Sequence, residues 1–229
     1  MPLPAYFLPR PPMHLDDATV DAFERLFAAS ITRGTVDPIE YRLSAPKWQF
    51  LCYIRDQKRV VLHGSGDPSI AELVPRQGRD TLAFGAREAV YAADDGIWPI
   101  FYAVVSRNGG HGSVTSMVNT GVRIVAPDAV RGDYYYFSID ADPTTHSSWR
   151  NGWVYLLSGQ TFERQSLARL DGFEIESTQL ASLTAVLPLA KLAVAPSDFP
   201  FLHQVRRHDP VELRRRMDAN PHGFPWLHA

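Results

Sequence analysis

The chain carries one cysteine, Cys52, among 229 residues. A single thiol excludes an intramolecular disulfide framework and any cysteine-rich zinc site. Long apolar runs are missing as well, so no segment reads as a membrane span. The N-terminus, MPLPAYFLPRPP, lacks the basic-then-apolar order of a signal peptide. Neither sign of charge is in excess: the formal net charge of −2 gives bulk electrostatics no hold on nucleic acid or membrane. No repeat, heptad or low-complexity tract occurs. A phosphate loop with Gly-Lys-Ser/Thr is absent, and Gly64-Ser65-Gly66 is neither a Gly-x-Ser-x-Gly elbow nor a three-glycine dinucleotide fingerprint. The eight histidines show no His-Glu-x-x-His spacing, which argues against a zinc hydrolase. His203, His208, His222 and His228 gather near the tail and read as solvated surface groups. A cytoplasmic protein is expected, with signal-less export left open.

What is present is an ordinary globular composition, 45% apolar and 21% charged. The length suits one sizeable domain, or a core with a terminal extension. Asp16 and Asp17 can cap a helix over 18–30, whose Val20, Phe23, Leu26 and Phe27 share a face. Ser44-Ala45-Pro46 opens a second helix with Trp48, Leu51 and Cys52 inward, making Cys52 a small buried hydrophobe rather than a nucleophile. Val60-Val61-Leu62 reads as a strand that ends in His63, Gly64 and Ser65. A short helix (69–74) and a loop from Pro75 to Arg87 follow, then a strand at 89–92. Asp94 or Asp95 caps a helix over 96–106, with Pro99 tolerated in its first turn. The second half reads as strands at 113–118, 121–126, 134–139, 152–157, 172–176, 179–182 and 188–194, then a tight SDFPFL segment and a basic helix over 211–217. Helices and strands are segregated, which predicts an α+β fold.

Three elements then stand in order: His63-Gly64-Ser65 at one strand end, Tyr91-Ala92-Ala93-Asp94 at the next, and Tyr102 inside the following helix. This order resembles the ADP-ribosyltransferase superfamily, in its diphtheria-toxin and poly(ADP-ribose)-polymerase branch. The likeness is close over residues 59–107 and looser over 170–200. It implies a split β-sheet core with N-terminal helices and NAD as co-substrate. It also implies roles: His63 would bind the adenosine ribose, the Gly64 backbone the nicotinamide carboxamide, and Ser65 the nicotinamide ribose. Tyr91 and Tyr102 would sandwich the nicotinamide, because flat rings suit a flat cationic ring.

The family's third motif is usually a glutamate on a late strand, where it stabilises positive charge in the transition state. Here Gln179 takes that position counted back from the final strand, and Glu176 is the alternative carboxylate. A glutamine can hold a ribose hydroxyl but brings no full negative charge. Glu174 reads as a solvated strand edge.

The implied activity is toxin- or effector-like: cleavage of the nicotinamide–ribose bond and transfer of ADP-ribose to a macromolecular acceptor. An NAD glycohydrolase and a non-catalytic NAD or ADP-ribose binding module stand as alternatives. The expected division is an N-terminal helical extension over 1–58, an NAD-binding core over 59–203, and a C-terminal helix and tail over 204–229. No metal site is expected. The loop HSSWRNGW offers Trp149, Arg150 and Trp153 either to an acceptor or to a hairpin with one buried tryptophan. Arg214, Arg215 and Arg216 read as the solvated face of the terminal helix.

Overall fold

A computed structural model describes residues 3–32, 36–78, 80, 83–107, 113–170, 172–221 and 223–227. In chain order the elements are β1 (Leu8–Pro9), α1 (Asp17–Thr32), α2 (Lys47–Gln57), β2 (Val60–Ser65), β3 (Arg76–Gln77), β4 (Glu88–Ala93) and α3 (Trp98–Val104). Then come β5 (Met117–Ala126), β6 (Gly132–Ile139), β7 (Gly152–Ser158), β8 (Glu163–Arg164), β9 (Ala168–Leu170) and β10 (Phe173–Ser177). The chain closes with β11 (Gln179–Ser182), β12 (Pro188–Val194), β13 (Arg206–Arg207) and α4 (Pro210–Ala219). The fold is α+β, with two largely antiparallel sheets. One runs β1-β6-β5-β10-β9 with β13 beside β6; the other runs β12-β7-β2-β4-β11-β8 with β3 beside β4.

The chain passes from one sheet to the other at Thr178, the residue between β10 and β11. Thr178 is buried, and both its N–H and its hydroxyl donate to the Gly121 carbonyl at 3.0 Å, while its own carbonyl accepts from Asp94 at 2.7 Å. With its polar groups satisfied in this way, the buried crossing avoids a desolvation cost.

Period-2 alternation sorts the strands into layers. Val60 and Leu62 of β2, Val154 and Leu156 of β7, and Tyr135, Phe137 and Ile139 of β6 join the main core. Phe23 of α1 and Phe50, Leu51 and Ile54 of α2 belong to the same core, and so does α3. Phe101 of α3 is fully buried against Phe137 (ring centroids 4.8 Å) and Phe199 (5.8 Å). The opposite face of the second sheet carries Val61, Val90, Ala92, Tyr155 and Leu180. The outer face of the first sheet is covered at Val118 and Tyr136 by Leu213 of α4, with Phe224 and Trp226 of the tail. Cys52 is fully buried, and burial pushes its thiol well up, as suits a packing residue.

Local readings hold or fail for identifiable reasons. Asp16 accepts from the Thr19 amide at 2.8 Å and so caps α1. Asp95 rather than Asp94 serves α3, accepting from the Ile97 and Trp98 amides at 2.7 and 2.5 Å. The expected helix over 69–74 does not form. Asp67 takes the Ser69 amide and hydroxyl in a local turn, and Leu73 exchanges main-chain hydrogen bonds with Val186 instead. The expected strands over 113–118 and 121–126 are one strand, β5, paired with β6 without a break. Gly121 marks a close approach within β5, because a Cβ would sit 2.6 Å from the Thr178 hydroxyl and 2.9 Å from the Trp98 ring. His208 is a correction as well. It is buried between the Ser138 and Ser116 hydroxyls at 2.6 and 3.1 Å, not solvated. His222 and His228 lie outside the described residues, as do Arg79, Thr81 and Leu82 of the loop between β3 and β4. Arg215 and Arg216 both pair with Glu212 along α4.

Phe101→Ala should cost about 3–5 kcal/mol, as a large-to-small change at a fully packed ring does. Chemical denaturation would read this as a lower midpoint with an unchanged slope.

Candidate functional site

The site begins where two strands part. β2 runs beside β7 along its whole length, from Val60↔Ser158 to Ser65↔Trp153. Toward β4 its register holds only at Leu62↔Ala93. Past Leu62 the β4-facing edge of β2 consists of His63, Gly64 and Ser65, with β4 diverging from it. An open strand edge offers main-chain N–H and C=O groups side by side, a pattern that a planar amide can meet with its own donor and acceptor.

The parting is bridged by a side chain. His63 Nδ1 lies 2.7 Å from the Tyr91 carbonyl oxygen. A carbonyl only accepts, so Nδ1 carries the proton and the neutral ring keeps Nε2 as an acceptor. Burial is the main influence on the imidazole and lowers its pKa from 6.5. The hydrogen bond to Tyr91 works against that shift, and the Arg76 charge adds to it.

Gly64 is held from above by α3. A Cβ on Gly64 would lie 1.8 Å from the Pro99 oxygen and 3.0 Å from the Ala103 nitrogen, so no side chain fits. The helix backbone therefore rests directly on the strand. Ser65, next along, accepts from the Asp67 amide at 3.1 Å. By alternation His63 and Ser65 face away from α3, opposite Tyr155 and Trp153, while Gly64 faces it.

Tyr91 and Tyr102 belong to two elements, β4 and α3. Tyr91 lies on the α3 side of β4, two residues before core residue Ala93. Its hydroxyl donates toward the carbonyls of Arg87 (2.8 Å) and Phe84 (3.1 Å). Tyr102 is half-buried on α3, beside Trp98 and Phe101 at 6.1 and 5.9 Å between ring centroids. Burial pushes the Tyr102 phenol up to about 12 and also raises that of Tyr91. The Asp80 charge raises both phenols as well, as a minor influence beside burial. Asp80 was not found by sequence reasoning; a single acidic residue in a Gly- and Arg-bearing loop carries no pattern.

No protein-family model, curated protein or solved structure matches the chain.

The two candidates for the third motif end up in different sheets. Gln179 begins β11 opposite Ala93 of β4, and its alternation puts it on the α3 side with Tyr91. It is the diagonal cross-strand neighbour of Tyr91, since Ala181 stands directly opposite that tyrosine. Glu176 lies on β10 in the other sheet, opposite Arg123. Its carboxylate sits 3.3 Å from both Arg123 and Arg164, and Arg164 also pairs with Asp94. Glu174 pairs with Arg169 at the exposed edge of that sheet. Tyr91 and Gln179 thus lie on the α3 side of the second sheet, with Tyr102 on α3 itself, while His63 and Ser65 face the other way and Glu176 sits in an ion-pair network.

In the tryptophan loop, Trp149 is buried with its indole N–H donated to the Pro143 carbonyl at 2.8 Å. Trp153 is half-buried with Lys191 over its ring at 5.1 Å.

Because the folded state lowers the His63 pKa, the unfolded chain binds its proton first as pH falls. Stability should therefore decline as pH drops below about 6.5 and toward the lower folded-state value, and His208 adds to the trend in the same direction. His63→Gln should flatten that decline between pH 7.5 and 5, measured by urea midpoints. Equal slopes in wild type and variant would show that His63 titrates alike in both states.

Proposed function

We propose that the chain binds NAD at the parting of β2 and β4 and acts as an ADP-ribosyltransferase of the diphtheria-toxin and poly(ADP-ribose)-polymerase type, within an α+β fold of that family's split-sheet kind. The observation that supports the reading is the parted strand pair, where His63 reaches the Tyr91 carbonyl and the Gly64 edge is left unpaired by β4. The parted edge suits a carboxamide, which needs one donor and one acceptor in a plane. The His63 tautomer leaves Nε2 to accept from a ribose hydroxyl. Two tyrosine rings suit the flat cationic nicotinamide ring.

In the proposed reaction the bond between the ribose C1′ and the nicotinamide nitrogen breaks, and its electron pair neutralises the pyridinium. The acceptor nucleophile forms the new bond to C1′ and releases its proton. With a macromolecular acceptor the product is an ADP-ribosylated target; with water the same chemistry is NAD glycohydrolysis. Gln179 would hold the ribose hydroxyl beside the developing positive charge without adding a full negative charge.

One observation favours the binding module as a second reading. Glu176, the nearest candidate carboxylate along the chain, is held by Arg123 and Arg164 in the other sheet. An arrangement with glutamine in place of a carboxylate retains NAD contacts and gives up transition-state stabilisation.

NAD at about 100 times its dissociation constant should add about 2.7 kcal/mol to stability, seen as a raised melting temperature. The absence of any shift at millimolar NAD would overturn the cofactor assignment. Single-turnover nicotinamide release then separates enzyme from module. Gln179→Glu should raise release by ~10²–10³, the scale of one preorganised electrostatic contact. Glu176→Ala should leave release unchanged, because that carboxylate belongs to the ion-pair network. No detectable release from wild type and Gln179→Glu, with NAD bound, would leave the binding module as the function.

A further inference from the structure

The outer face of the first sheet carries a cavity of about 300 Å³, where β13, α4 and the tail meet. Leu213, Trp226 and Leu227 give it an apolar wall, and Arg206, Arg207 and Arg216 line it as well. Two of those cations come from β13, whose pairing beside β6 sets Arg206 against Ser138 and Arg207 against Ile139. The Arg206 guanidinium stands over the Tyr136 ring, 5.8 Å from its centroid.

The acids that share the cavity are already engaged. Asp209 accepts from the Val211 and Glu212 amides at 2.8 and 3.0 Å and so caps α4. Glu212 accepts from Arg215 at 2.8 and 2.7 Å and from Arg216 Nε at 2.7 Å. Asp142 feels the Arg207 charge only as the smallest of its influences, and its carboxylate is taken up by the Thr144 amide and hydroxyl. Among the described residues, no carboxylate pairs with Arg206 or Arg207. Two adjacent guanidinium groups that line one cavity without an acid between them suit an anion.

Trp226 adds an independent observation. Its φ of 58° lies in the left-handed region, which a bulky side chain rarely enters. Strain of this kind persists only where the surroundings enforce it, and it gathers at ligand clamps. Here the Trp226 amide donates to the Gly223 carbonyl at 2.9 Å and the indole N–H to the Asn220 carbonyl at 2.7 Å. Phe224 meets the indole edge-on, 5.6 Å between ring centroids. The end of α4 thus holds a flat ring in place at a cavity that two unpaired cations share.

We propose that this cavity binds a free nucleoside monophosphate, with the phosphate on Arg206 and Arg207 and the base on Trp226. A guanidinium fork matches two phosphate oxygens at once, and every base has a flat face to lay on an indole. The volume stands at the small end of small-molecule sites, which suits a mononucleotide and not a dinucleotide such as NAD. The site belongs to the first sheet and does not depend on the NAD reading of the second.

Titration calorimetry with 5′-AMP, adenosine, inorganic phosphate and a phosphotyrosine peptide tests the site on wild type, Arg206→Met, Arg207→Met, Trp226→Leu and His63→Gln. Arg206 and Arg207 are exposed, so their methionine variants keep the fold even where Trp226→Leu is unstable. Each should weaken AMP and phosphate about 10- to 100-fold, the range of a hydrogen bond to a charged group, and leave adenosine within about twofold. Trp226→Leu should weaken AMP and adenosine about 5- to 100-fold, the range of one base–aromatic stack, and leave phosphate within about twofold. AMP affinity unchanged in all three cavity variants would overturn the site. AMP binding that His63→Gln abolishes and the cavity variants leave intact belongs to the β2–β4 parting, and it would overturn the site while supporting the NAD reading. A wild type that binds no AMP overturns the site, and a phosphotyrosine peptide bound more tightly than AMP overturns the nucleotide assignment.

Discussion

Helix α3 lies directly on the backbone of the second sheet, and the geometry around it follows from that contact. Gly64 of β2 and Gly152 of β7 leave room for the Pro99 and Ala103 backbone, where any Cβ would collide at 1.8–2.1 Å. A helix this close cannot be accommodated by side chains on the strand beneath it. The same helix carries Phe101 into the core, with Tyr102 half-buried beside Trp98 and Phe101. Glycine at these positions therefore serves packing first. The absence of a side chain on Gly64 is also what the proposed nicotinamide contact requires.

A second constraint fixes the strand ends. Arg10, Asp56, Arg55, Asp94, Arg123 and Asp133 close a ring of ion pairs, each at 2.7–3.5 Å and each partly shielded from water. Arg164 and Glu176 bridge across it. The ring ties the end of β1, α2, the end of β4 and strands β5 and β6 together near the point where Thr178 carries the chain between sheets. Networks of shielded pairs are costly to break singly, since removing one partner strands another charge. Glu176 is part of this network, and its carboxylate is spoken for. Gln179, one step beyond the crossing, is released to the α3 side of the second sheet.

Much of this was legible in the residues because local signals and burial agreed. Asp16 before an apolar stripe gave α1, and Val60-Val61-Leu62 gave β2. The alternation of the later strands placed β6, β7, β11 and β12 within a residue or two. What failed involved partners distant in the chain. Leu73 pairs with Val186, which no local pattern could announce, and so a helix was expected over 69–74. A break was expected between 118 and 121 because the unbroken pairing with β6 that carries β5 through is invisible in its own neighbourhood. His208 looked solvated because two serines from β6 and the approach to β5 bury it. Within the candidate site, the strand-end residues could be named from sequence. Asp80 and the sheet-by-sheet separation of Glu176 from Gln179 needed coordinates.

The central claim is that the parted edge of β2 receives a nicotinamide ring. A crystal structure of the protein with nicotinamide tests it most directly. The account predicts the ring between Tyr91 and Tyr102, with its carboxamide paired to the Gly64 backbone and Gln179 at its rim. Nicotinamide bound elsewhere, with the gap between β2 and β4 empty or closed, would contradict it.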